Sequence, residues 1–199
     1  MDASGNESGL SEQVSTYVPF GGATGKIPDT GQTTSYTDTF GEDSDYTINS
    51  HSYTKLDTGG NDLPDGAAVW AMVRDNVTGL IWENKTDDGT IHDKDNTYTW
   101  QVAQDVFIAQ LNAANFGGHS DWRLPTVMEL FLLVHADKPY FGPSIDTAYF
   151  PSTVSSAYWS SSTYAYYPGR AWPVNFDIGY VFHGYKSFSY HVRAVRAGQ

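Results

Sequence analysis

Between residues 158 and 191 lie seven of the chain's fourteen tyrosines, interleaved with Trp159, Trp172, Phe176, Phe182 and Phe188 and punctuated by glycine and serine. Past Pro139 no apolar residues recur at helical spacing. The runs Trp159–Ser162, Ala171–Phe176, Gly179–Phe182 and His191–Arg196 read instead as successive strands, with Asp177-Ile178-Gly179 closing a hairpin between the second and third. Side chains on a strand alternate between two faces, so only every second ring can point into a core. Tyr164, Tyr166, Tyr167, Tyr180, Phe182, Tyr185, Phe188 and Tyr190 are too many for one small interior, and some of them must face solvent. Tyrosine offers a large contact area at low entropic cost, with a polar tip, and exposed clusters of such rings mark binding surfaces.

The region upstream reads differently. Val69–Val73 predicts a buried strand, Asp75-Asn76 a turn, and Gly79–Trp82 a second strand, which together make a hairpin. Residues 87–97 form a polar loop. Thr99 is placed to cap a helix running to about residue 114, with Val102, Val106, Ile108, Ala109 and Leu111 as its apolar face and Gly117-Gly118 as its stop. Pro125 and Thr126 open a second helix whose apolar face is Leu130, Phe131, Leu133 and Val134. The fold class expected is α+β, two helices among antiparallel strands. Residues 1–23 are small and polar and read as a flexible tether; residues 24–199 form one domain, of which 24–66 supplies short strands and turns at an edge.

Composition removes several function classes. A net charge of −12 repels phosphate backbones, which argues against a nucleic-acid partner. With no cysteine there is no disulfide scaffold, thiol nucleophile or thiolate metal site. No stretch reaches the ~20 apolar residues of a membrane span. Asp-Thr-Gly occurs at Asp29-Thr30-Gly31 and Asp57-Thr58-Gly59, but polar neighbours and close spacing favour turns over a paired-aspartate protease. The six histidines match no zinc spacing, and Ser160–Ser162 reads as a polar strand edge rather than a nucleophile. No cofactor is required; calcium is the one cation the chain could take, through Asp87, Asp88, Asp93 and Asp95, against the simpler reading of a solvated acidic loop.

Six motifs in order carry a family resemblance: Asp75-Asn76-Val77-Thr78-Gly79-Leu80-Ile81-Trp82, Tyr98-Thr99-Trp100, Gly118-His119-Ser120-Asp121-Trp122-Arg123-Leu124-Pro125-Thr126, Tyr158–Ser162, Ala171–Phe176 and Val192–Arg196. The set resembles the Lcl C-terminal-like domain, on the formylglycine-generating-enzyme-like branch of the C-type lectin fold. That resemblance implies a compact α+β domain of secreted or surface-attached bacterial or phage proteins that bind rather than catalyse. The enzymatic relatives use cysteines, which this chain lacks. Some members of the fold are variable proteins of diversity-generating retroelements, in which adenine-directed mutagenesis of asparagine codons cannot produce Lys, Glu, Gln, Met or Trp. With Val174–Phe176, Gly179, Val181 and Lys186 set aside as framework, all thirteen remaining positions from Pro173 to His191 avoid those five types.

The expected function is therefore a non-enzymatic ligand-binding domain. Its binding face is Tyr164, Tyr166, Tyr167, Arg170, Pro173, Asp177, Ile178, Tyr180, Phe182, His183, Tyr185, Phe188, Tyr190 and His191. The six tryptophans serve mainly as framework, and Arg123, Arg193 and Arg196 serve as structural partners. The partner is a protein or a glycan on another cell surface; the alternative is an adhesive module that self-associates through the same face. The setting expected is extracellular or cell-surface attached. Met1-Asp2-Ala3-Ser4-Gly5 has no signal-peptide character, so this expectation places the leader outside the sequence.

Overall fold

The computed structural model describes residues 24–138 and 142–198; the tether assigned to 1–23 lies outside them. Two sheets share the core. The first has the strand order β1-β2-β3-β10, built from Tyr53–Leu56, Met72–Asp75, Leu80–Glu83 and Val195–Ala197, all antiparallel. The second has the order β4-β9-β5-β6-β7, from Thr97–Tyr98, Tyr190–His191, Ala157–Thr163, Arg170–Asn175 and Tyr180–Val181, with β8 (Gly184–Tyr185) also paired to β6. Among the strand pairs of the described residues, only β5–β9 is parallel. No helix among the described residues is long and apolar enough to cross a membrane.

The β2–β3 hairpin forms for local reasons. The buried Asp75 carboxylate accepts from the amides of Val77 and Thr78 and from the Thr78 hydroxyl, and Gly79 takes φ = 79°, a left-handed conformation that a glycine adopts freely. The first strand starts later than its sequence suggests. Val69 is exposed and β2 begins at Met72, because Trp70 is held outside the ladder: its Nε1 donates to the Tyr149 carbonyl, and the Lys55 ammonium sits 3.9 Å from its ring.

The first helix runs through Trp100–Val102, a π-helical stretch Ala103–Ile108, and Ala109–Ala113. Its buried line is Ala103, Phe107 and Leu111, whereas Val102 and Val106 are exposed. Both lines repeat every four residues, so spacing alone does not choose between them; the bulky Phe107 marks the one that meets the core. Thr99 occupies the N-cap position without a side-chain cap bond. The second helix is short, Val127–Phe131, and is capped reciprocally by Thr126 and Glu129. Leu130 and Leu133 enter the core, while Phe131 stays partly exposed. His191–Arg196 is not one strand. β9 and β10 belong to different sheets, and the buried Val192, Arg193 and Ala194 cross between them.

This crossing explains two of the motifs. Arg123 exchanges backbone hydrogen bonds with Val195 and clamps Glu129 with two bonds of 2.7 and 2.8 Å, and Arg196 Nε donates to Asp121 at 2.8 Å. Arg193 is fully buried, donating to the Glu83 carbonyl and the Thr153 hydroxyl. The Asp121–Thr126 and Val192–Arg196 segments thus fasten one another, and all three arginines hold the scaffold. Trp82, Trp122 and Trp159 are buried; Trp70, Trp100 and Trp172 are half-buried.

Candidate functional site

The strands β5, β6 and β8 carry the ring cluster. The turn joining β5 to β6 is closed by bonds from Tyr167 N to the Tyr164 carbonyl and from Arg170 N to the Tyr167 carbonyl. It presents Tyr166 and Tyr167 to solvent with rings 4.6 Å apart. Arg170 lies directly across from Tyr185 in the β6–β8 register, so both side chains share a face. Its guanidinium is 4.1 Å from the Tyr185 ring and 5.4 Å from that of Tyr167. It donates to the Tyr185 hydroxyl at 2.6 Å, and its Nη1 lies 3.0 Å from His183 Nδ1. His183 in turn stacks on Tyr164, 4.8 Å between centroids and 7° from parallel. Trp172 lies beneath that pair, 4.8 Å from Tyr164.

A second line of rings continues from Tyr185 through Phe188, Tyr190 and Phe182 to Tyr180, with successive centroids 5.5–6.3 Å apart. Tyr190 ties this line to the core, since its ring is 4.6 Å from that of the buried Trp159. A glycine is required beside it: a Cβ on Gly184 would come within 2.8 Å of the Tyr190 ring. Tyr166, Tyr167, Tyr180, Tyr185 and Phe188 remain exposed, and Tyr164, Arg170, Phe182 and Tyr190 are partly covered by their neighbours.

Not every residue expected on this face reaches it. Pro173 is buried, because its strand position points inward opposite Trp159. His191 turns away, packing 5.2 Å from Tyr158 and bonding the Lys94 carbonyl through Nδ1; burial pushes its ring below the usual imidazole range. Asp177 and Ile178 sit at the β6–β7 turn. Ile178 there lines a separate groove of about 640 Å³ with Ile27, Met128 and Phe131. Conversely, Lys186 was grouped with the framework by its type, yet it borders the face, 3.7 Å over Trp100 and bonded to the Thr163 hydroxyl. Its position follows from the pairing of β8 with β6, which no local pattern reveals.

The other candidate residues also make contacts within the scaffold. Asp87, Asp93 and Asp95 come together, but Asp88 turns to Thr86 and Thr90. Asp93 accepts from three backbone amides, those of Asp88, Gly89 and Asp95, and the Lys94 ammonium pairs with Asp87 and Asp95. The hydroxyl of Ser160 donates to the Trp172 carbonyl and that of Ser161 to the Pro125 carbonyl, and Ser162 Oγ accepts from Val127 N. Asp57 receives the amides of Gly59 and Asn61 and closes a local turn, whereas Asp29 receives those of Ile48 and Asn49 and ties two distant segments together.

One polar cluster was missed from the sequence. Glu83 is fully buried at the end of β3 and receives the Lys85 ammonium at 3.1 Å, His92 Nδ1 at 2.8 Å and the Ala194 amide at 3.0 Å. Burial alone would raise this carboxyl; Lys85, His92 and the amide together outweigh it and hold it below the usual range. The run Glu83-Asn84-Lys85 reads as the polar end of a strand, and nothing local signals that the Val192–Ala194 crossing covers it.

A family model described as the Lcl C-terminal domain matches residues 71–196. The chain belongs to that family. The matched span takes in the six sequence motifs, both helices and the whole ring array, and omits β1. No curated protein matches the chain.

Proposed function

We propose that this family member is a non-enzymatic binding protein, displayed outside the cell, whose ligand docks on the array running from Tyr166 and Tyr167 past Arg170 and Tyr185 to Tyr180. The observation carrying this reading is the array itself: rings in mutual contact, exposed at their edges, and rooted in a packed core through Tyr190 on Trp159. Tyrosine, phenylalanine and arginine clustered on rigid strands are the composition of an interface hot spot. A binding role over catalysis is supported by the Ser160–Ser162 hydroxyl and amide contacts and by the structural pairing of Arg123 and Arg196. Diversification is supported by exposure: of the thirteen positions from Pro173 to His191 that avoid the five excluded types, only Pro173 and Gly184 are buried.

The experiment compares wild-type protein with the triple variant Tyr180→Ala, Phe182→Ala, Tyr185→Ala on a glycan array and in panning of a random-peptide display library. Binding should vanish in the variant with the thermal midpoint nearly unchanged. A collapse of the midpoint, or binding that survives, overturns the assignment. Sedimentation of the free protein separates ligand capture from self-association through this face. For diversification, the genomic signature is a nearby near-copy of the DNA for residues 163–191 that differs only at adenines.

A further inference from the structure

The chain is acidic overall, with 23 carboxylates against 11 lysines and arginines. Acids crowd most of its cations: Arg74 pairs with Asp62, Lys85 with Glu83, Lys94 with Asp87 and Asp95, Arg123 with Glu129, Lys138 with Asp146 and Arg196 with Asp121. Of the five cations without such a pair among the described residues, Lys55 and Arg193 are buried and Lys26 lies near the start of the described chain, whereas Arg170 and Lys186 stand at the ring array. Neither has a carboxylate within 4 Å among the described residues, and both rest on aromatic rings. They are neighbours, since Lys186 N donates to the Gly169 carbonyl beside Arg170. From residue 157 onward the only acid is Asp177, out at the β6–β7 turn. Two cations therefore face solvent in the least acidic part of a strongly acidic molecule.

Arg170 is also pre-oriented. Stacking on Tyr185, the bond to its hydroxyl and the contact with His183 fix the guanidinium plane, which lowers the ordering cost of a further bidentate contact. Building on the binding reading above, we propose that Arg170 is a carboxylate clamp at the centre of the ring array, and that the partner is a protein presenting an aspartate or glutamate side chain among apolar residues. A protein suits the surroundings better than a polysaccharide. Phe188 and the exposed tyrosine faces ask for apolar contact, and the carboxylates that would accept from paired sugar hydroxyls are missing from this stretch apart from Asp177 at the β6–β7 turn. Asn175 Oδ1 is already taken by the Asp177 amide.

The test pans a random dodecapeptide display library on the wild-type protein and re-measures the enriched peptides, made synthetically, on Arg170→Gln and Arg170→Lys. Enriched peptides should carry Asp or Glu beside aromatic or aliphatic residues. Arg170→Gln should weaken them about tenfold or more, the usual scale for a hydrogen bond to a charged group. Arg170→Lys should restore only part of the loss, because an ammonium lacks the planar fork. Replacing the peptide's acid by its amide leaves the protein untouched; it should cost the same affinity on wild type and nothing on Arg170→Gln. Enriched peptides without an acid, or none at all, overturn the clamp, as does undiminished binding to Arg170→Gln. If those peptides are still lost on Tyr180→Ala, Phe182→Ala, Tyr185→Ala, the binding face stands while the clamp falls; if they are retained there, both fall. Capture of dextran sulfate with no acidic peptide enriched assigns the two cations to a polysaccharide and overturns the proposal.

Discussion

Replacing Glu83 by alanine tests how the two sheets are joined. The carboxylate is fully buried, and the Lys85 ammonium that meets it is 2% exposed. Glu83→Ala strands that ammonium, removes the acceptor of His92 Nδ1 and unsatisfies the Ala194 amide in the crossing segment. Breaking one side of a buried ion pair costs about 3–5 kcal/mol, because the remaining charge stays desolvated. For a domain of this size each kcal/mol moves the midpoint by roughly 2–4 °C, so the fall should be about 6–20 °C. The assay is urea unfolding followed by tryptophan fluorescence, with the thermal midpoint by circular dichroism. The double variant Glu83→Gln, Lys85→Met removes both charges and keeps the volume, and should recover most of the loss. If Glu83→Ala lowers stability by less than about 1 kcal/mol, water reaches the cluster and the account of the join is wrong.

Three further outcomes follow from the same structure. Phe107→Ala should destabilise by about 3–5 kcal/mol while Val106→Ala stays within about 0.5, which chemical denaturation will read; equal effects would refute the assignment of Ala103, Phe107 and Leu111 as the buried face. His51 and His135 stack 5.2 Å apart at 22°, with His51 Nε2 and His135 Nδ1 buried and without hydrogen-bond partners among the described residues, and Gly31 pressed on the His135 ring. Burial holds both below the usual imidazole range, His51 adding to the effect on His135, while Asp75, Asp146 and Asp29 on the one ring and Asp146 and Asp137 on the other oppose it. The neutral forms are therefore the stable ones, and stability should fall as pH drops below ~6.5, with His135→Gln flattening the profile of midpoint against pH. Because Lys94 already pairs with Asp87 and Asp95 and Asp93 holds three amides, a chelator should leave the midpoint within about 1 °C; a larger drop would show that a cation stabilises the loop.

What could be read from the sequence follows the range of the forces involved. The β2–β3 hairpin was legible because Asp75, Thr78 and Gly79 close it within a few residues. The cap of the second helix was legible for the same reason, its bonds joining Thr126 and Glu129. The exposure of some rings among Tyr166, Tyr167, Tyr185 and Phe188 followed from their number, although Tyr166, Tyr167 and Phe188 reach solvent from turns rather than by strand alternation. Features set by distant contacts were not accessible. Val102 and Val106 repeat at the same four-residue interval as Ala103 and Phe107, and only the packing of the helix decides which pair is buried. Pro173 faces inward because of where β5 places Trp159, and Arg170 meets Tyr185 only through the β6–β8 pairing. The burial of Glu83 depends on a segment 110 residues away in the chain.

The passage from Tyr190 to Ala197 makes closure of the interior wait for the end of the chain. The first sheet acquires its last strand only from Val195–Ala197, and the lid over Glu83 only from the residues just before it. Both are translated after every codon of the ring array. A chain cut short before Val195 therefore lacks both the edge strand and the lid, and it cannot close its own interior however complete its surface rings are.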